Sequence, residues 1–121
     1  MNFKISVNIK PVSLNVILRM HWKTRSDMQQ IYDLYIMKEK NELPKEIKQL
    51  FPLKKVNFVK IIYYFKDKKH RDYDNYSGKF IFDALKHNEI IIDDNCNIIQ
   101  SVQYQIILGA KDDYFDIIID F

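Results

Sequence analysis

The chain has 121 residues, 47% of them hydrophobic and 29% charged, a composition that suits one folded domain with a modest core and excludes a disordered chain. No apolar run approaches the ~20 residues of a membrane-spanning helix, the first ten residues lack the apolar core of a signal peptide, and a lone cysteine excludes an intrachain disulfide. These features together predict a cytoplasmic protein with no membrane contact.

A net charge of +3 hides a strong asymmetry: residues 1–71 hold 16 Lys and Arg against 6 Asp and Glu, and residues 72–121 hold 3 against 10. A basic half beside an acidic one suits a protein that grips a phosphate backbone while its acids hold a cation, although an uneven surface alone produces the same numbers.

Phe3 to Ile9 alternates apolar and polar residues and predicts a half-buried strand, ended by Lys10-Pro11-Val12-Ser13. Asn15 to Arg25 reads as a phosphate-facing loop, with Arg19, Lys23 and Arg25 as its DNA contacts and His21 and Trp22 as local packing. Ser26 is a good N-cap for a helix over 27–42, with Gln29 completing a capping box and Met28, Ile31, Tyr32, Tyr35 and Ile36 forming its apolar stripe. Pro44 and Pro52 bracket a basic connector, and Lys55 to Phe65 is the longest strand candidate. The strand feeds the basic run 66–71, in which Lys68, Lys69 and Arg71 are further DNA contacts.

Residues 70–94, HRDYDNYSGKFIFDALKHNEIIIDD, carry the chemistry. Asp72, Asp74, Asp83, Asp93 and Asp94 are interleaved with aromatic and apolar residues, where carboxylates repel one another and lose water unless a cation neutralises them. Hard oxygen donors select Mg²⁺, with Mn²⁺ as the alternative. Asp72 and Asp74, two apart, leave the same face of an extended strand end. Asn75, Ser77 and Gly78 are turn or cap residues before a helix that opens at Lys79, and Asn88 stops it. Folding this unit back on itself brings both acidic pairs to one ion, with a lysine nearby, the minimum set for metal-assisted phosphodiester cleavage. An EF-hand register fails, because Ser77 falls where glycine is needed and Asp83 where a bidentate glutamate is needed. A solvated acidic turn is the plainer alternative. Ile98 to Leu108 and Tyr114 to Phe121 complete the strands; Asp112 and Asp113 between them read as turn residues, and Cys96 as packing.

Asp72-Tyr-Asp74-Asn75, Lys79, Asp83-Ala84-Leu85 and Asp93-Asp94, with Pro11-Val-Ser13-Leu14-Asn15 and Arg19-Met-His21-Trp22 upstream, resemble the RusA-type Holliday junction resolvases over most of the chain. The gap from Asp74 to Lys79 is one residue longer than the family pattern, with Gly78 as the extra residue. The resemblance implies a homodimeric Mg²⁺-dependent endonuclease that resolves four-way DNA junctions in recombination and repair. Asp72, Asp74 and Asp94 would be the main metal ligands, Asp93 an assisting one, and Lys79 the stabiliser of phosphoryl charge. Asn75 and Asp83 would support them. A DNA-binding module without catalysis and a nuclease for other branched DNA are the alternatives. For the fold, the order of elements predicts one α+β domain over residues 1–121, a mixed sheet with two main helices packed against it.

Overall fold

The computed structural model describes residues 1–121. In chain order the elements are strand β1 (Asn2–Val7), helices α1 (Leu14–Arg19), α2 (Trp22–Asn41) and α3 (Lys45–Lys48), strand β2 (Val56–Phe65), a 3₁₀ turn (Tyr73–Asn75), helix α4 (Lys79–His87), and strands β3 (Ile99–Leu108) and β4 (Tyr114–Asp120). The strands form one mixed sheet in the order β1-β4-β2-β3. The pair β2–β3 is parallel, and β4 runs antiparallel to both its neighbours, β1 and β2. This is the α+β domain that the element order predicts.

The parallel pair requires a crossover, and residues 66–98 supply it: the acidic loop, α4 and the return segment. Helix α4 buries more side chains than any other helix of the fold, Phe80, Ile81, Phe82, Ala84 and Leu85. They join Val59, Ile61, Tyr63 and Phe65 of β2, Phe115, Ile117 and Ile119 of β4, and Phe3, Ile5 and Val7 of β1 in a single core. Tyr32 of α2 packs between Phe80 and Phe115, at ring centroid distances of 5.1 and 5.7 Å. After α4, Asn88 closes the helix as expected, its side chain donating to the carbonyls of Ala84 and Asp33. Ile90 and Ile91 then turn into the core, and Ile91 bridges Leu53 in parallel fashion.

Three local expectations are corrected. The stretch 15–25 is helical rather than loop: Ser13 caps α1, and α2 starts at Trp22, not after Ser26. Its N-cap is His21, whose Nδ1 accepts the Lys23 N–H at 3.2 Å. Nothing between Trp22 and Ser26 breaks a helix, so the cap moves to the first extended residue upstream. The stripe on α2 is also divided. Tyr32 and Ile36 are buried, whereas Ile31, Leu34, Tyr35 and Met37 are exposed. Cys96, finally, is exposed rather than packed. No helix is long and apolar enough to cross a membrane.

Candidate functional site: an acidic hollow at the start of α4

The end of β2 sets up the acidic loop through one arginine. Arg71 grips Asp67 with Nη1 at 2.7 Å and Nη2 at 3.1 Å, and its guanidinium carbon lies 3.6 Å from the centroid of the Phe65 ring. The hydrogen bonds from Arg71, with that from the Lys69 N–H, hold the Asp67 carboxyl well below the usual carboxylate range. Its side chain is only 11% exposed, so Arg71 braces the loop from inside, unlike the open cations Lys68 and Lys69.

Asp72 follows in an extended conformation, but Asp74 lies within the 3₁₀ turn. Their spacing predicts a shared strand face, and the 3₁₀ turn at Asp74 overturns it. The chain has already begun to turn, with the Asn75 and Tyr76 N–H groups bonded to the carbonyls of Asp72 and Tyr73. They meet nonetheless, because both line a hollow of about 300 Å³ together with Leu14, Asn15 and Asn75. Asn75 makes its floor firm: Oδ1 accepts the Asn15 N–H at 2.9 Å and so ties the loop to α1. Tyr73 donates nothing to the hollow; its hydroxyl takes the Ile106 N–H at the sheet edge, and Tyr104 reaches back to the Ser77 carbonyl at 2.7 Å. Asp72 has one side-chain partner, His70, at 2.9 Å.

Gly78 then reverses the chain in the left-handed region, at φ 71°, and Lys79 starts α4. A β-carbon at Gly78 would stand 2.8 Å from Ile61 Cδ1. Both backbone sign and close approach therefore call for glycine at the one position that lengthens the motif. Lys79 lies 3.8 Å from Asp83, and a second hollow, of about 320 Å³, is lined by Lys79, Phe80 and Asp83 of α4 and by Trp22, Arg25, Ser26 and Gln29 of α2. Trp22 packs locally against the His21 ring, at 5.4 Å between centroids, yet stays 72% exposed. Gln29 caps nothing; it spans the helices, donating to Asp33 and to the Phe80 carbonyl. The Nε of Arg25 is buried without a hydrogen-bond partner. Arg19 and Lys23 are exposed near the start of α2.

The second acidic pair is placed elsewhere. Asp93 accepts the Asp94 N–H at 2.7 Å and the Asn95 amide at 3.1 Å, and the first of these bonds holds its pKa below the usual value. Asp94 pairs with Lys86 at 3.4 Å, and Lys86 pairs with Asp83 at 3.4 Å. Burial lowers the Lys86 pKa, but the two carboxylates outweigh it and the net shift is upward. An ammonium thus stands between Asp83 and Asp94, a partner that sequence reading passed over although Lys86 and Asp83 are three apart on one helix. Asp93 and Asp94 do not line the hollow that Asp72 and Asp74 share. The turn residue Asp113 has a backbone role, accepting the Lys66 N–H at 2.8 Å.

No protein-family model matches this chain, and no curated protein matches its sequence.

Proposed function

We propose that the protein is a Mg²⁺-dependent endonuclease that cuts four-way DNA junctions as a two-fold dimer. The observation that carries this reading is the hollow that Asp72 and Asp74 share, with Lys79 following five residues after Asp74 to line a second hollow together with Arg25 of α2. Two carboxylates with an amide-lined wall suit Mg²⁺, which keeps most of its water and takes one or two carboxylates plus substrate phosphate. Bound there, the ion would activate water and neutralise phosphoryl charge.

Asp72 and Asp74 hold the ion; Asn75 keeps them in place through Asn15. Lys79, half exposed and steadied by Asp83, offers its ammonium to the phosphoryl oxygens. Lys68, Lys69, Arg19 and Lys23 are exposed and contact the backbone, which attracts them without reading sequence. In this reading Asp94 serves from beside α4, tethered by Lys86.

A second reading has an observation of its own. His70 pairs with Asp72, Lys86 with Asp94, and the loop backbone with Asp93, so three of the four acids have partners within the chain. That favours acids that merely order a loop in a DNA-binding module.

Incubating a labelled mobile four-way junction with the protein, in Mg²⁺ and in EDTA, separates the two. Paired nicks that require Mg²⁺ are expected. Binding without nicks in either condition would establish the module and overturn the nuclease. Cleavage of flaps in preference to junctions would move the substrate to other branched DNA.

A further inference from the structure

Tryptophan has the largest apolar surface to bury, yet the single Trp of this chain, at the start of α2, stays mostly open to solvent. Trp22, Arg25, Ser26 and Gln29 follow the i, i+3, i+4, i+7 spacing that sets side chains on one helix face. Against Lys79 and Phe80 of α4, that face lines the hollow of about 320 Å³. Its size is that of the smaller ligand pockets, which begin at about 300 Å³. The frame is firm, because Gln29 donates to Asp33 and to the Phe80 carbonyl and so fixes α2 against α4. The His21 ring meets the indole at a tilt of 38° and leaves most of it uncovered.

The surroundings of the indole are cationic. Arg25 and Lys79 line the hollow, and Arg19 and Lys23 are exposed close to Trp22 in the chain. Asp83, the one acid of the lining, is paired with Lys79 and Lys86. The Nε of Arg25 is buried without a partner, a donor that the fold does not use. An apolar protein surface would meet positive charge on several sides here, whereas a phosphodiester chain meets its complement. Shared residues also link this hollow to the acidic one. Leu14 lines the hollow of Asp72 and Asp74, Leu14 and Lys79 line a narrow crevice, and Lys79 lines the hollow at Trp22.

We propose that this hollow takes one unstacked nucleotide of a DNA strand, its base lying on the Trp22 indole and its phosphate on Arg25. Aromatic side chains stack on any base whose face is free, whatever the sequence. Within a duplex both faces are covered by neighbouring bases, and a face comes free only where a base has left the stack, as in single strands. Trp22 therefore reads structure rather than sequence. The inference rests on the DNA reading above and adds how such a site tells interrupted from continuous duplex. The held nucleotide then neighbours, through Lys79 and Leu14, the acids of the other hollow.

Because Trp22 is the only tryptophan, its fluorescence reports the contact directly. The protein is titrated in EDTA with a single-stranded oligodeoxyadenylate and, separately, with a relaxed closed-circular plasmid. The oligonucleotide is expected to quench Trp22 and the plasmid to leave its emission unchanged. Trp22→Leu, apolar but without a ring, should bind the labelled oligonucleotide roughly 5- to 150-fold more weakly, and Trp22→Phe should lose less. Arg25→Gln should lower the slope of log affinity against log salt by about 0.7, the single-strand value for one phosphate. Circular dichroism checks each fold; should the Arg25 variant unfold, the Trp22 variants decide. Unquenched emission with the oligonucleotide, equal quenching by the plasmid, a folded Leu variant that binds like the wild type, or an unchanged slope in a folded Arg25 variant overturns the proposal. None of these readouts needs cleavage. Quenching by a protein that never nicks DNA removes the nuclease and leaves the stacking site, and nicking with Trp22 unquenched does the reverse.

Discussion

Arg71 is stacked on Phe65, 3.6 Å from guanidinium carbon to ring centroid, and this contact makes it a brace where its neighbours are open cations. Arg71→Ala should lower stability by about 1–2 kcal/mol, since both the stacking and the Asp67 bonds are lost. Lys68→Glu with Lys69→Glu should leave stability within about 0.5 kcal/mol and weaken DNA binding, reducing the slope of log affinity against log salt by roughly 1–2. Urea melts and gel shifts over a salt series check both; an unchanged slope would place the two lysines away from the DNA.

Asp72→Asn and Asp74→Asn keep the shape of the hollow and remove charge. Each should cut nicking by orders of magnitude, because water activation and phosphate neutralisation fail together. Junction binding in EDTA should hold or tighten, a repulsive charge having gone. Lys79→Ala should lose nicking without losing the fold. Wild-type rates in the two Asn variants would dispose of the metal site.

Asp94 has a different environment and a different expectation. Lys86→Met removes the ammonium between Asp83 and Asp94, so if Asp94 works in cleavage its substitution and that of Lys86 should both change the nicking rate. Asp112→Asn, in the turn before β4, should leave the rate unchanged. Single-turnover nicking of the three variants on one preparation makes the comparison.

Gly78→Ala should destabilise the fold by about 1–3 kcal/mol, through left-handed strain and the 2.8 Å approach to Ile61. Thermal melts report the loss. A neutral result would mean that the turn into α4 relaxes, and that Lys79 is held less firmly than its position suggests.

Burial pushes the Tyr32 hydroxyl up to about 12 from 10.0. The folded state holds that proton where the unfolded chain releases it, so the contribution is complete below pH 10 and is lost as pH rises toward 12. It amounts to about 2–3 kcal/mol. Urea midpoints of the wild type should therefore fall more steeply across this window than those of Tyr32→Phe. Parallel curves would refute it.

The strands and the crossover helix were legible because their signals are local: alternation in β1, the apolar run in β2, and Phe80 to Leu85 between Gly78 and Asn88. The start of α2 was not, since Ser26 offers a better cap than His21 by composition and only the observed backbone shows where the extended residue falls. At the site, the acids, Lys79 and Gly78 announce themselves by type and spacing. The hydrogen bonds of Asn15, Gln29 and Asp113, and the pairing of Lys86 with Asp94, connect residues distant along the chain or across a turn, where periodicity carries no information. The placement of Asp94 beside Lys86 rather than in the hollow is of that kind.

The interior position of β4 has a consequence for synthesis. It is the last strand along the chain, yet it separates β1 from β2, and both antiparallel ladders run through it. Until residues 114–120 have left the ribosome, Phe3, Ile5 and Val7 have no ladder to join, and the nascent chain holds an apolar β1 with nothing to pair with. Folding must then close contacts spanning more than a hundred residues at once, a slow step by topology. A stop codon before Tyr114 would accordingly leave no partial sheet with a function, only a chain fit for degradation.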